Sequence, residues 1–393
     1  MRNKLLIKKE KNTYLYENGG KEVFNESKIA MQCLENDCEQ IYKVDSIEDV
    51  KKYTRKPEEL KSFFERKEFD EKYFAYIEEI VNSITDTEYI VSIAIEEILI
   101  QKCIIENLCI GQTTYNTVSY NISRNNMLVA SEAMVFDALN KSEIENIIEC
   151  IQNEISWDKK EKTKCLFLGY DWVFSAEAAG FIFHECIGHI LEEELFAISG
   201  YSIGDRLFNG NINIYENWRN TKKIDDYGNS VMMNVNLISN GIIQNTLSGR
   251  GKRENNSGNG YTEDPDFPPL ARMNSMYVEM GEEKDDIVSQ TKKGVYIERI
   301  SSGEYNPITG EIGLCVSQMN KITNGKFTEA YEPVSILFNI NQLKEVEIEM
   351  EKKKKSTQSL CGKYGSLKKV EYTTARFKMR WKENGKFITN RDF

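Results

Sequence analysis

The chain has 393 residues, with 51 Lys and Arg against 62 Asp and Glu and a formal net charge of −11. That balance argues against nucleic acid or an anionic membrane as the main partner, and the length leaves room for roughly two to three domains, each burying its own core. Nine cysteines, an odd number without a C-x-x-C pair, disfavour both a disulfide framework and a zinc ribbon.

The first residues, MRNKLLIKKEKNTY, hold too short an apolar run for a signal-peptide core. The most apolar stretch, YIVSIAIEEILIQKCIIENLCI, is interrupted by Glu96, Glu97, Gln101 and Lys102, so it does not read as a membrane span. A soluble cytoplasmic protein is expected. Residues 1–60 mix short β-like segments with charged turns, and Gly19-Gly20 reads as a hairpin turn. Between 57 and 105, EKYFAYIEEIVNSI and IAIEEILIQKCI both carry apolar residues at helical spacing; the first predicts a helix, and TEYIVSIAI fits a strand equally well.

LCIGQTTYNTVSYNISRNNMLVASEAMVF alternates like a half-buried antiparallel sheet. A helix follows over 141–154, with Ser142 as its expected cap. The charged stretch SWDKKEKTK, 156–164, predicts a boundary near 160, giving an amino-terminal domain over 1–160 and a carboxy-terminal domain over 161–393. CLFLGYDWVFS reads as a buried strand, and SAEAAGFIFHECIGHILEEELF as the strongest helix, capped by Ser175. After 210 the pattern is strand-rich, with hairpin turns at Asn240-Gly241 and Asn324-Gly325, while the basic run EKKKKS at 351–356 reads as a solvated loop. The expected fold class is α+β: an amino-terminal domain of α/β type, then a mostly antiparallel, β-rich domain carrying the strong helix.

That helix holds both histidines of the chain, His184 and His189, in the pattern H-E-x-x-x-H. Two imidazoles plus a thiolate or carboxylate, with one position open, is the constitution of a catalytic zinc site, and Glu185 would be its general base. The spacing is one residue longer than the zinc-peptidase motif H-E-x-x-H. Five residues of ideal helix rotate by about 500°, which leaves the imidazoles roughly 140° apart. A widened turn with i→i+5 bonding would return both to one face, and Gly188 makes such a distortion cheaper, so a π-bulge is predicted between 184 and 189. The plainer alternative is two unrelated histidines, with Glu185 and His189 an ordinary i,i+4 pair. A third ligand must be Asp, Glu or Cys; Glu192 and Cys361 are both candidates, and spacing does not choose between them.

HECIGHILEEE resembles the helix H-E-A-V-G-H-G-L-E-G-D of the TldD/PmbA family of metallopeptidases, keeping His184, Glu185, Gly188, His189, Leu191 and Glu192. The match is to the metal-binding TldD-type subunit, because the PmbA-type (TldE) partner lacks the motif. IDDYGN at 224–229, GKRENN, PPLARMNSMYVEMG and CGKYGS resemble further family segments, so the likeness covers roughly residues 160–375. Ile190, Glu193 and Glu194 depart from it, standing where the family has Gly, Gly and Asp.

The resemblance implies a zinc-dependent peptidase acting on unstructured or short peptides, in some systems trimming leaders from ribosomally made peptides. Such subunits usually pair with a PmbA/TldE-type subunit, a homodimer being the alternative. It implies His184, His189 and Cys361 as zinc ligands, which selects Cys361 over Glu192, and Glu185 as base. Arg253 and Arg272, in matched segments, are candidates for holding substrate main chain or a terminal carboxylate, or else for structural ion pairs. The competing expectation is a zinc-stabilised peptide-binding or scaffolding subunit without turnover. Since imidazoles must be neutral and the thiol ionised to bind metal, activity is expected to fall in acid.

Overall fold

The computed structural model describes residues 4–381 apart from 36–37, 52, 55, 106–107, 165–169, 220–223 and 250–256. The fold is α+β with strands dominating. Six strands, β1 (Lys4–Glu17), β2 (Gly20–Glu35), β3 (Cys38–Lys43), β4 (Tyr89–Ile104), β5 (Cys109–Arg124) and β6 (Met127–Phe136), form a first sheet. Its order is β3-β2-β1-β4-β5-β6, antiparallel throughout. The β1-β2 turn is made by Asn18 and Gly19, both at positive φ, and Gly20 already belongs to β2. The turn therefore sits one residue before the expected Gly19-Gly20 pair, because Asn tolerates the left-handed region that a two-residue hairpin turn requires.

All of 89–104 is one strand, including IAIEEILIQKCI with its helix-like spacing. β4 is hydrogen-bonded to β1 on one side and β5 on the other, and its residues 99–103 are buried on both faces. A doubly buried strand loses the alternation that would have distinguished it from a helix. Two helices, α1 (Lys72–Ser83) and α2 (Lys141–Asp158), cover the sheet, with Tyr73, Ile77 and Ile80 of one and Ile144, Ile147 and Ile151 of the other in a shared apolar core. The cap of α2 is Asn140, whose side chain accepts from Glu143 N at 3.3 Å, rather than Ser142. Because α2 runs to Asp158, the charged stretch at 156–164 begins inside a helix.

The second sheet has thirteen strands among the described residues. Those that position the site are β7 (Asp171–Phe174), β8 (Ile212–Glu216), β9 (Ser275–Met280), β10 (Lys293–Tyr305), β11 (Glu311–Thr323), β12 (Val346–Lys363) and β13 (Ser366–Trp381). β13 pairs along its length with β12, and also with β9 in parallel and β7 antiparallel. Lys352–Lys355 lie within β12, so the basic run is strand rather than loop. The expected turns at Asn240-Gly241 and Asn324-Gly325 are present with positive φ at all four residues. Of the strand expected at CLFLGYDWVFS, residues 165–169 lie outside the described residues and β7 supplies the remainder.

A helix of eight residues, α3 (Ala176–Phe183), lies against this sheet. Its Phe183 ring is 5.2 Å from that of Phe377 on β13, which stacks at 5.0 Å on Phe174 of β7. Gly180 lets the helix approach closely: a Cβ there would stand 2.0 Å from the Tyr372 ring. Among the described residues, no helix is long and apolar enough to cross a membrane.

Candidate metal centre

Ser175 starts α3, its Oγ accepting from Ala178 N at 3.0 Å and donating to Glu298 O at 2.8 Å on β10. The helix thus begins tied to the sheet. At its other end the chain widens into a π-helical turn over His184–Gly188, closed by His189 N donating to His184 O at 3.2 Å. This is the i→i+5 bond that the five-residue spacing predicts, and it brings the two imidazoles to 4.9 Å between ring centroids.

Gly188, expected to ease the distortion, also leaves room for a neighbouring side chain. A Cβ at this position would lie 1.5 Å from Met273 Cε and 2.8 Å from its Sδ, so the side chain of Met273 fills the space against the turn. Gly188→Ala is expected to destabilise the metal-free protein by about 1–3 kcal/mol through overpacking. Thermal unfolding of the metal-free variant beside wild type measures it, and an unchanged midpoint would remove this account of the glycine.

Cys361 reaches the same place from β12, three residues before the Tyr364-Gly365 turn into β13, so it is a strand residue. One ligand-type atom from each of His184, His189 and Cys361 lies within 4.8 Å of the others. Cys361 Sγ is already 3.4 Å from His189 Nε2. All three side chains are buried, and neither ring nitrogen of His184 has a hydrogen-bond partner. A buried imidazole with two unused nitrogens is costly unless something else satisfies it. Two imidazoles and a thiol facing one point suit a borderline-soft divalent cation such as zinc.

The Glu185 carboxylate stands beside the group, 3.8 Å from His184 Nε2 and 3.7 Å from His189 Nε2. Burial pushes its carboxyl above the usual range against the opposing pull of the two imidazoles. Glu192, fully buried, is not a member of the cluster. Its Oε2 instead meets His189 Nδ1 at 3.0 Å and accepts from Lys363 Nζ at 2.7 Å. A proton on Nδ1 directed at that carboxylate leaves the Nε2 lone pair on the side of Cys361. Burial alone would raise the Glu192 carboxyl, but His189, Lys363 and Arg272 outweigh it and hold it well below the carboxylate range. Burial likewise opposes ionisation of Cys361, and the two histidines reverse this, holding its thiol well below the ordinary value.

Arg272 is 1% exposed and gives its guanidinium to Cys361 O, Cys361 Sγ and Ser366 O. Of the two expected roles, substrate contact or structural partner, the structure shows both Nη groups already engaged by protein atoms. Arg253 lies outside the described residues. Lys363 was missed, although the C-G-K-Y-G stretch holds it two positions after Cys361; nothing in the sequence says that its partner is Glu192.

Phe181, Leu360 and Tyr372 border a cavity of about 1120 Å³ between β6, α2, α3 and β12. Tyr372 also stands 6.4 Å, ring to ring, from His184, so the cavity and the histidine pair share a wall. Arg299 spans the cavity floor, bonded to Glu154 of α2 and 3.4 Å from Glu132 of β6. Burial pushes the Glu132 carboxyl up to about 7 despite Arg299, with Glu154 and Glu177 adding to the rise.

The model of the PmbA/TldA metallopeptidase C-terminal domain family matches residues 169–365. Two metalloprotease TldD homologs, from the Buchnera aphidicola of Acyrthosiphon pisum and of Schizaphis graminum, are each 29% identical, over 173 and 162 residues. The matches take in 40% and 37% of this chain and 35% and 33% of those proteins, so the chain spans about a third of the length of the curated relatives it matches. Among solved structures, TldE from Thermococcus kodakarensis has a similar fold, with TM-score 0.67 and 12% identity over 99% of this chain and 96% of that one. A Thermotoga maritima protein described as a candidate modulator of a DNA gyrase follows at TM-score 0.65 and 13% identity, over 96% of both chains. At such identities the two structures speak for the fold alone.

Proposed function

Because this chain belongs to the PmbA/TldD metallopeptidase family, we propose that it is a zinc-dependent peptidase hydrolysing unstructured or short peptides, with His184, His189 and Cys361 as ligands and Glu185 as general base. The observation that carries the reading is the π-helical turn: it faces both histidines toward a cysteine 172 positions from His189 and leaves Glu185 beside them. When bound, a zinc ion supplies Lewis acidity to a water and to the peptide carbonyl. Glu185 accepts the proton of the attacking water and returns it to the leaving nitrogen, a task suited by the raised proton affinity of its buried carboxyl. Glu192 fixes the ring of His189, and the cavity bordered by Tyr372 and Phe181 gives an extended peptide room to approach.

The proposal extends to a PmbA/TldE-type partner subunit, to leader trimming as one use of the activity, and to residues 1–160 as a separate amino-terminal domain contributing to the cleft and to partner contacts. A purely structural zinc site has no use for a carboxylate beside the histidines, which weighs against a non-catalytic scaffold. The test is cleavage of an unstructured peptide by the chain, alone and with a PmbA/TldE-type subunit, before chelation, after chelation and after zinc is returned. Cleavage that disappears and returns with zinc is expected; cleavage indifferent to chelation overturns the reading.

A further inference from the structure

Among the described residues, the buried cations Arg272 and Lys363 lie behind the three candidate ligands, and of these two Arg272 touches the thiol. Arg272 Nη2 donates to Cys361 Sγ at 3.2 Å and to Cys361 O at 2.7 Å, Nη1 donates to Ser366 O at 3.1 Å, and Nε stands 3.8 Å from Glu192 Oε1. Lys363 Nζ serves Glu192 Oε2 at 2.7 Å, Glu194 Oε2 at 3.4 Å and Ala271 O at 3.3 Å. A single guanidinium therefore grips the sulfur of one candidate ligand and faces the carboxylate that orients the imidazole of another.

We infer that Arg272 is a positioning residue for the metal centre, holding the Cys361 thiolate through an N–H···S hydrogen bond and so limiting the electron density the sulfur gives to the ion. The inference rests on the proposed ligand set. Arg carries its charge at every accessible pH and offers donors in a rigid fork, so one side chain reaches the sulfur and the carbonyl of Cys361 together. A hydrogen bond to the ionised form of a group favours that form, and charge-assisted bonds are about twice as strong as neutral ones. With metal, a sulfur lone pair engaged by the guanidinium is a weaker donor. Lys at this position keeps the charge but loses the fork. Lys363, on the imidazole side, provides an internal comparison.

The experiment loads the full chain with cobalt(II) and reads the thiolate-to-cobalt charge-transfer band in the near ultraviolet, together with the rate of cobalt loss to a chelator. Arg272→Met is expected to shift the band to lower energy, because the sulfur regains donor strength, and to speed cobalt loss about 10–100-fold, because the lost hold on the sulfur and carbonyl of Cys361 outweighs that gain. Arg272→Lys is expected to fall between, and Lys363→Met to speed cobalt loss without moving the band. If Arg272→Met does not fold, the Arg272→Lys band decides. A wild-type band that neither Arg272 variant moves overturns the inference while leaving the ligand set standing. A wild-type protein with no such band overturns the ligand set and this inference with it.

Discussion

Glu185→Gln is expected to lower kcat/KM for peptide hydrolysis by about 10²–10⁴-fold, the range over which a positioned general base acts, while bound metal stays at the wild-type level. The two halves of this result separate because the Glu185 oxygens lie beside the histidine nitrogens, outside the two-imidazole and thiol group. Gln keeps the volume and removes the proton acceptor, so the loss falls on the chemical step. Metal content by elemental analysis and steady-state cleavage of an unstructured peptide check both halves. Undiminished cleavage would strip Glu185 of its role, and loss of metal would move it into the ligand set.

Cys361→Ala is expected to cost the protein its metal and all measurable cleavage. The sulfur is the contribution of the second sheet's last hairpin to the cluster, and without it two neutral imidazoles remain, one donor short of the three protein ligands usual at a catalytic zinc site. Wild-type protein with free metal at a hundred times its Kd gains about 2.7 kcal/mol of stability by mass action, and the variant should lose that increment. The measurement is the difference in unfolding midpoint with and without chelator, which should be large for wild type and close to zero for Cys361→Ala. Protons compete for the same three side chains, so the increment should shrink as pH falls, in step with metal release. A variant that holds metal as tightly as wild type would return the choice of third ligand to the remaining carboxylates.

Much of the centre was legible because its constraint is local. The five-residue interval between His184 and His189 admits a shared face only if the helix widens, and the i→i+5 bond from His189 to His184 is where that interval places it. Cys361 could not be reached in the same way. It is 172 positions from His189, so the family resemblance supplied it, and the position of its hairpin depends on pairing between strands far apart in the chain. Arg272 carries two expectations, substrate contact or a structural ion pair, because the sequence shows its charge and not its burial, which is a tertiary fact. The same holds for β4, whose apolar run satisfies both helical and extended spacing until its two neighbours are known. Turns were read more closely, since Asn-Gly pairs carry their own backbone preference, and the β1-β2 turn was misplaced by only one residue.

β13 is the last strand among the described residues, yet it lies inside the second sheet, paired with β9, β7 and β12. Contacts of such long sequence separation form late, after the entropy of closing large loops has been overcome. Cys361 rides on the hairpin that β13 completes, so the cysteine meets the histidines only when nearly the whole described chain is in place. A chain synthesised only as far as Leu360 therefore lacks the third candidate ligand. For the proposed metal centre, the three candidate ligands and the fold that encloses them are thus completed together.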